Sequence, residues 1–368
     1  MDKRFNERTK KMLAEILKKV MSKQIKRNLM FSGETNFFSE IRIMDSSEFV
    51  VSKKVADSFP GYGGKGREAI AQVQFEYEIL GGTVTQLSLG CGLDSDVAAG
   101  ANEIDKVPSK ALLIRDLGYF SPKTFKDLSS RDIYFISRAK TQWNYYVMED
   151  GKEKLLTTQD IIDKLKKQKE KYLDIKVFAG RGAKTPVRLI ANLLTEEQKL
   201  NRLKKKKDKL GKLGKDVLEG AGLNLFVTNI ETEKCEASAV YQLYTLRWQI
   251  ELIFKTWKSI LKLHKIHPMN AIRLECVILV RFLWIMLNWS VLKLLQEETK
   301  KEISLHKFTH TIMSRRIMIN ATILQDKNLL FEWIYKLLEI SIKFHKKEYK
   351  KGSIKQEEVL SKCFYKTT

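Results

Sequence analysis

Cysteine and proline are scarce, with four and five copies in 368 residues. Cys91, Cys235, Cys276 and Cys363 stand far apart, with no CxxC pair and no histidine at zinc-ligand spacing. That pattern excludes a zinc ribbon or a disulfide scaffold and leaves reduced thiols, as expected of a cytosolic chain. His264, His267, His306, His310 and His345 include no HExxH pair, so none is assigned to a metal. The N-terminus, MDKRFNERTKK, lacks the apolar run of a signal peptide. Only Cys276 to Leu295 approaches a membrane span, and Arg281, Asn288 and Lys293 interrupt it, so a buried core helix is expected there. Acidic residues are also in deficit: 44 Asp and Glu stand against 67 Lys and Arg, a net charge of +23. Such an excess implies a polyanionic partner, with nucleic acid the first candidate. Ribosomal and membrane-surface proteins carry similar charge, so the balance alone selects no mechanism.

What the chain does have is a long uninterrupted helical pattern. Ala239 to Lys262, AVYQLYTLRWQIELIFKTWKSILK, contains no Gly or Pro, and its apolar residues recur at three and four. At about 100° per residue, Leu243, Leu246, Ile250, Ile253, Trp257 and Leu261 fall on one face. Tyr244, Arg247, Glu251 and Lys258 fall on a flanking stripe, within roughly 60° of one another. Glu251 is a hard oxygen donor of the kind Mg²⁺ or Mn²⁺ prefers. Arg247 and Lys258 are phosphate-binding groups, and Tyr244 can hydrogen-bond a phosphate or stack on a base. The stripe alone fits equally well an exposed face laced with Arg–Glu and Glu–Lys pairs.

The spacing Tyr-x2-Arg-x3-Glu-x6-Lys resembles the signature of the YREK group of bacterial insertion-sequence transposases (insertion-sequence family four), and Tyr244, Arg247, Glu251 and Lys258 match it without a gap. The resemblance implies an Asp-Asp-Glu (DDE) metal site on an RNase H-like fold, with Glu251 as the third carboxylate. Two upstream aspartates complete the pattern. Asp45 lies in the β-rich run Ser39 to Val51, IRIMDSSEFVV, where an acid among β-formers is costly unless it binds something. It resembles the first aspartate of the group, which is also followed by Ser or Thr. Asp116 ends the apolar strand Ala111 to Tyr119, at the strand end where α/β sheets place functional groups. RDLGYF resembles the second-aspartate motif. Glu48, Asp57, Asp94, Asp96 and Asp105 are read as structural or surface acids.

Along the chain, residues 1–38 form an N-terminal helical remnant, and 39–140 the first part of the RNase H-like core. Its strands are Ser39–Val51, Ala71–Leu80, Val84–Gly90, Ala111–Tyr119 and Ile133–Ala139, with a helix from Pro122 to Ser130 that Ser121 can cap. Pro60 to Gly66, PGYGGKG, lacks the GK[ST] of a phosphate-binding P-loop and is expected as a hairpin connection. It resembles the Gly-rich turn of the group, which makes Lys65 and Arg67 candidate DNA contacts. The stretch between Asp116 and Glu251 is far longer than a crossover requires. Residues 141–236 are therefore expected as a β-rich insertion module, which the resemblance also implies, carrying the basic segments Lys164–Lys171 and Leu203–Lys215. These segments suit a solvated helix face or a phosphate track, and Trp143 a packing role or a stacked base. Residues 237–298 hold the second part of the core with the YREK helix, and 299–368 a C-terminal helical region. The fold class is thus α/β: an RNase H-like core interrupted by a β-rich insertion, with flanking helices.

The resemblance implies a DNA transposase that cleaves insertion-sequence ends and joins them to target DNA. Asp45, Asp116 and Glu251 would hold two Mg²⁺ ions, with Mn²⁺ able to substitute, about 3.5–4 Å apart. Tyr244, Arg247 and Lys258 would hold DNA near the cleaved end. The implied partners are double-stranded DNA, as terminal inverted repeats and target, and a second copy of the chain on paired ends. No membrane partner is expected, and the expected location is the bacterial cytoplasm, at the nucleoid. Only residues 1–44 precede Asp45, where the group carries a helical end-binding domain. That departure raises the alternative of a truncated, non-transposing DNA-binding or dimerising protein that inhibits a full-length transposase. A generic RNase H-like nuclease fits less well, because the Tyr244–Lys258 spacing is so particular.

Overall fold

The computed structural model describes residues 4–24, 37–64, 66–102, 104–119, 122–141, 143–181, 184–211, 214, 218, 220–314, 325–348 and 358–360. Lys65, the proposed cap Ser121 and Cys363 lie outside these residues. The chain divides into two compact units, one of residues 1–31, 43–95 and 248–355, the other of 32–42, 96–247 and 356–368. Cys91, Cys235 and Cys276 are free thiols.

The first unit is built on three adjacent strands in the order β3-β2-β1: β1 (Ile41–Val50, from Ile43 onward), β2 (Ile70–Glu78) and β3 (Thr83–Cys91). Strands β2 and β3 run antiparallel around a connection where Gly82 takes φ +71°, a conformation that glycine reaches without strain. On β2, Phe75 packs edge-on against Trp257 and Trp289, with ring centroids 4.9 and 6.3 Å away. Trp257 belongs to α7 (Trp248–Ser259), and Trp289 to α8 (Ala271–Thr299). The Trp289 indole also donates to the Gly82 carbonyl at 3.0 Å. Helix α8 is long and apolar enough to cross a membrane by composition, as its sequence suggested. Here Leu274, Ile278, Phe282, Ile285 and Leu292 are buried within the protein. Helix α1 (Glu7–Ser22), capped by the Asn6 side chain on Thr9 N, packs on α8 and adds a Lys10–Glu275 ion pair at 2.9 Å. Helices α9 (Leu305–Ser314) and α10 (Lys327–Phe344) enclose a smaller core around Phe308, Trp333 and Leu337.

The second unit carries α2 (Asp96–Asn102) and seven strands in the order β4-β5-β10-β9-β8-β6-β7. They are β4 (Leu112–Arg115), β5 (Tyr134–Arg138), β6 (Tyr145–Glu149), β7 (Lys152–Leu156), β8 (Leu173–Ala179), β9 (Thr185–Leu193) and β10 (Leu223–Thr228). Strands β4 and β5 are parallel and joined through α3 (Pro122–Ser130), whose Phe125 stacks on Phe135 at 4.0 Å. The expected strand through Tyr119 stops at Arg115. Asp116 accepts from Tyr119 N through its carbonyl, and Leu117–Tyr119 forms a 3₁₀ turn. Strands from residues 141–236 share this sheet: β10 pairs with β5, Phe226 opposite Arg138. They share its core too, since Leu113, Phe135, Leu189 and Leu225 belong to one buried cluster. Trp143 packs against that cluster. Lys164–Lys167 of the first basic segment fall on α4 (Thr158–Lys167) and Leu203–Leu210 of the second on α5 (Glu196–Leu210), each helix opened by a capping box, Thr157 with Asp160 and Thr195 with Gln198. Strand β7 has no signal of its own, but the Asp150–Gly151 turn before it, with φ +52° and +74°, is the two-residue hairpin type that this dipeptide favours.

The long helix expected over Ala239–Lys262 is two helices, α6 (Ala237–Thr245) and α7. Between them Leu246 and Arg247 turn on i→i−3 hydrogen bonds, to Leu243 at 3.0 Å and Tyr244 at 3.1 Å. The local backbone tightens from α to 3₁₀ there with no Gly or Pro to announce it. Arg247 therefore sits in the turn that closes α6 rather than inside one continuous helix.

Candidate active site

In the first unit a cleft of about 490 Å³ is lined by Asp45, Ser46, Ser47, Glu251, Phe254, Lys255, Lys258, Ser259 and His264. Strand β1 supplies the first three residues. Its Asp45 is half-buried, and its carboxylate accepts the Ser46 N–H at 2.9 Å. Helix α7 supplies Glu251 from its first turn, where the helix dipole favours a negative charge. The opposite face of α7 buries Ile250, Ile253 and Trp257, which fixes the direction in which Glu251 points. Two turns on, the Lys258 ammonium donates to the main-chain carbonyl of Glu48 at 3.1 Å. Burial lowers the Lys258 pKa below its ordinary value, and Glu48 works in the opposite direction. The Glu48 carboxylate accepts the exposed Tyr62 hydroxyl at 2.6 Å.

In the second unit Asp116 stands just beyond the end of β4. The Tyr244 hydroxyl donates to its Oδ1 at 2.9 Å. Tyr244 is held by Phe226 of β10, 4.9 Å away between centroids, and the Arg247 guanidinium lies 5.9 Å from its ring. Burial raises the Tyr244 pKa well above that of a free phenol, and the Asp116 charge raises it further, so the hydroxyl remains a donor. Tyr244, a DNA contact in the sequence expectation, also bonds the Asp116 carboxylate through its hydroxyl.

The structure thus places Asp45, Glu251 and Lys258 around one cleft, and Asp116, Tyr244 and Arg247 together in the other unit. Arg67 is exposed, in the turn closed by Arg67 N on Gly64 O at 3.2 Å, and does not line the cleft. Among the described residues, no group of three or more His, Cys, Asp or Glu is set to hold a metal ion. The cleft itself pairs two hard carboxylates with the hydroxyls of Ser46 and Ser47, a donor set that suits Mg²⁺ or Mn²⁺. Sequence reasoning missed Lys255 and His264. Lys255 follows Glu251 by four, the spacing of neighbours on a helix, and was legible. His264 lies past the end of α7 and is carried to the cleft by the turn through Lys262, at φ +49°, which no local pattern announces. Its Nδ1 is buried without a hydrogen-bond partner among the described residues.

The sequence profile described as "Transposase DDE domain" matches residues 36–287. The chain belongs to this family, the DDE transposases of insertion sequences. It is 28% identical to the transposase for insertion sequence element IS231C of Bacillus thuringiensis subsp. berliner, an alignment covering 94% of this chain and 78% of that protein. It is 30% identical to the IS231F transposase of B. thuringiensis subsp. israelensis, over 92% and 76%. With the IS1151 transposase of Clostridium perfringens the identity is 28%, over 83% and 69%.

Proposed function

We propose that the protein is a DNA transposase that cleaves the ends of an insertion sequence and joins them to target DNA by metal-dependent phosphoryl transfer. The observation that carries this reading is the cleft uniting Asp45, Glu251 and Lys258, in a chain of the DDE family. The RNase H-like assignment rests on the chain order, strands β1 to β3 followed by the parallel β4–α3–β5 unit. In this reading Asp45, Asp116 and Glu251 hold the Mg²⁺ ions, with Mn²⁺ able to replace them. When bound, the ions activate a water or a DNA 3′-hydroxyl and offset charge on the leaving oxygen.

The protein's own groups do the rest. Tyr244 fixes the Asp116 carboxylate by its 2.9 Å hydrogen bond, as outer partners of metal ligands do. Lys258 and Lys255 place positive charge beside Glu251, where a phosphate of the cleaved strand would sit. Arg247 serves a neighbouring phosphate. The partners are terminal-repeat and target DNA, with a second copy of the chain on the paired ends, at the nucleoid of the bacterial cytoplasm.

The test incubates the purified chain and its Glu251→Ala variant with Mg²⁺ and linear DNA carrying the terminal repeats of its element. Cleavage at the repeat boundary by the first and not by the second is expected. Cleavage that survives in Glu251→Ala would overturn the assignment.

A further inference from the structure

Among its described residues, the second unit contains positive charges that no carboxylate answers. The Arg138 guanidinium, at the end of β5, donates to Asn224 Oδ1 at 3.4 Å, and the Arg202 guanidinium of α5 donates to the same oxygen at 2.5 Å. Arg202 is further fixed by the Leu223 carbonyl at 2.6 Å. Lys206, one turn along α5, is close enough for both guanidiniums to lower its pKa, after burial, and Arg138 does the same to Arg202. Among the described residues none of the three forms an ion pair. Elsewhere in the unit an arginine with a structural duty receives its counter-charge: Arg188 is bonded twice to Asp174, at 2.6 and 2.5 Å. Two guanidiniums anchored to one buried amide, beside an ammonium, repel one another unless an anion joins them. All three are partly exposed, so an anion can reach them.

Strand register gives the cluster its place. Arg138 is paired with Phe226, and Asn224 lies two residues before Phe226, so the three side chains share one face of the sheet. Phe226 on that face supports Tyr244, which holds Asp116. We infer that Arg138, Arg202 and Lys206 form a binding site for a backbone phosphodiester of DNA on the Asp116 face of this unit. The inference rests on the proposed transposase function for its ligand. The site grips the strand through guanidinium N–H groups that Asn224 leaves over.

The test measures binding of the full chain to two fluorescent linear duplexes without metal, one ending in the element's terminal repeat and one of unrelated sequence, across a salt series. Each phosphate contact adds about 0.9 to the slope of log affinity against log salt. Arg138→Gln with Arg202→Gln is expected to make the slope shallower by about two such steps, and Lys206→Gln by about one, equally on both duplexes because phosphate contacts carry no sequence. Arg138→Lys, which keeps the charge, is expected to keep the slope. Unchanged slopes in Lys206→Gln and in the double variant would overturn the site. If the double variant unfolds, Lys206→Gln, whose side chain bonds to no other group among the described residues, decides alone. Wild-type cleavage of the repeat duplex with unchanged variant slopes would sink this site and leave the transposase reading standing. Shallower slopes in a chain that never cleaves would do the reverse, and a chain that binds neither duplex would overturn both.

Discussion

Glu251 and Asp116 are held by different physics. In the first unit Glu251 is placed by packing: Trp257, 1% exposed, locks α7 against Phe75 of β2 and leaves Glu251 facing the cleft. In the second unit Asp116 is placed by a hydrogen bond, from a phenol that Phe226 supports. Packing ties geometry to the stability of the whole unit, whereas a hydrogen bond between side chains can be removed with the fold left intact. The comparison predicts which substitutions separate activity from folding.

The largest effect is expected from Glu251→Gln, which removes the charge and keeps the shape: DNA cleavage should fall on the order of 10³-fold or more with the thermal midpoint unchanged. A residual rate near wild type would remove Glu251 from the chemistry. Trp257→Ala should destabilise the protein by about 3–5 kcal/mol in urea titration, through the cavity left beside Phe75. A small loss there would show that α7 is held by something other than its aromatic face. Tyr244→Phe deletes only the hydroxyl facing Asp116. Cleavage should drop by about 10–100-fold, as when an outer partner of a metal ligand is lost, with little change in stability. If folding fell in step with activity, the contrast between the halves would collapse.

The smallest effect concerns pH. Burial pushes the Cys235 thiol up to about 12 from an ordinary 9.0. In the folded chain the thiol keeps its proton where the unfolded chain loses it. Its contribution is therefore fully present below pH 9 and is lost as pH rises from 9 towards 12, by about 1.4 kcal/mol per pH unit. Cys235→Ala should flatten that part of the stability–pH curve. An equal slope in both proteins would remove the thiol as the source.

Much of this arrangement was legible, for identifiable reasons. Asp45 stood out because an acid in IRIMDSSEFVV conflicts with its strand, and Asp116 because it ends an apolar run. Helix α3 runs from Pro122 to Ser130, the bounds read from its Pro and its periodicity. Strand β7 was not legible, because KEKLL is an exposed edge with four of five residues outside the core and no alternation to read. The Arg138–Arg202 neighbourhood was hidden for another reason: strand register and a shared Asn224 bring the two together across more than sixty positions of chain, about the separation at which composition and periodicity carry no information.

The break at Leu246 and Arg247 changes what the four-letter signature measures. On one continuous helix its spacings would act as a single ruler, and any residue added inside it would rotate everything downstream by about 100°. With the helix divided, the signature is two couplets joined end to end. Tyr244 and Arg247, three apart, belong to α6 and its closing turn. Glu251 and Lys258, seven apart, lie two full turns from each other on α7. A motif written as one word is here two words, and the space between them is set by a turn rather than by helical pitch.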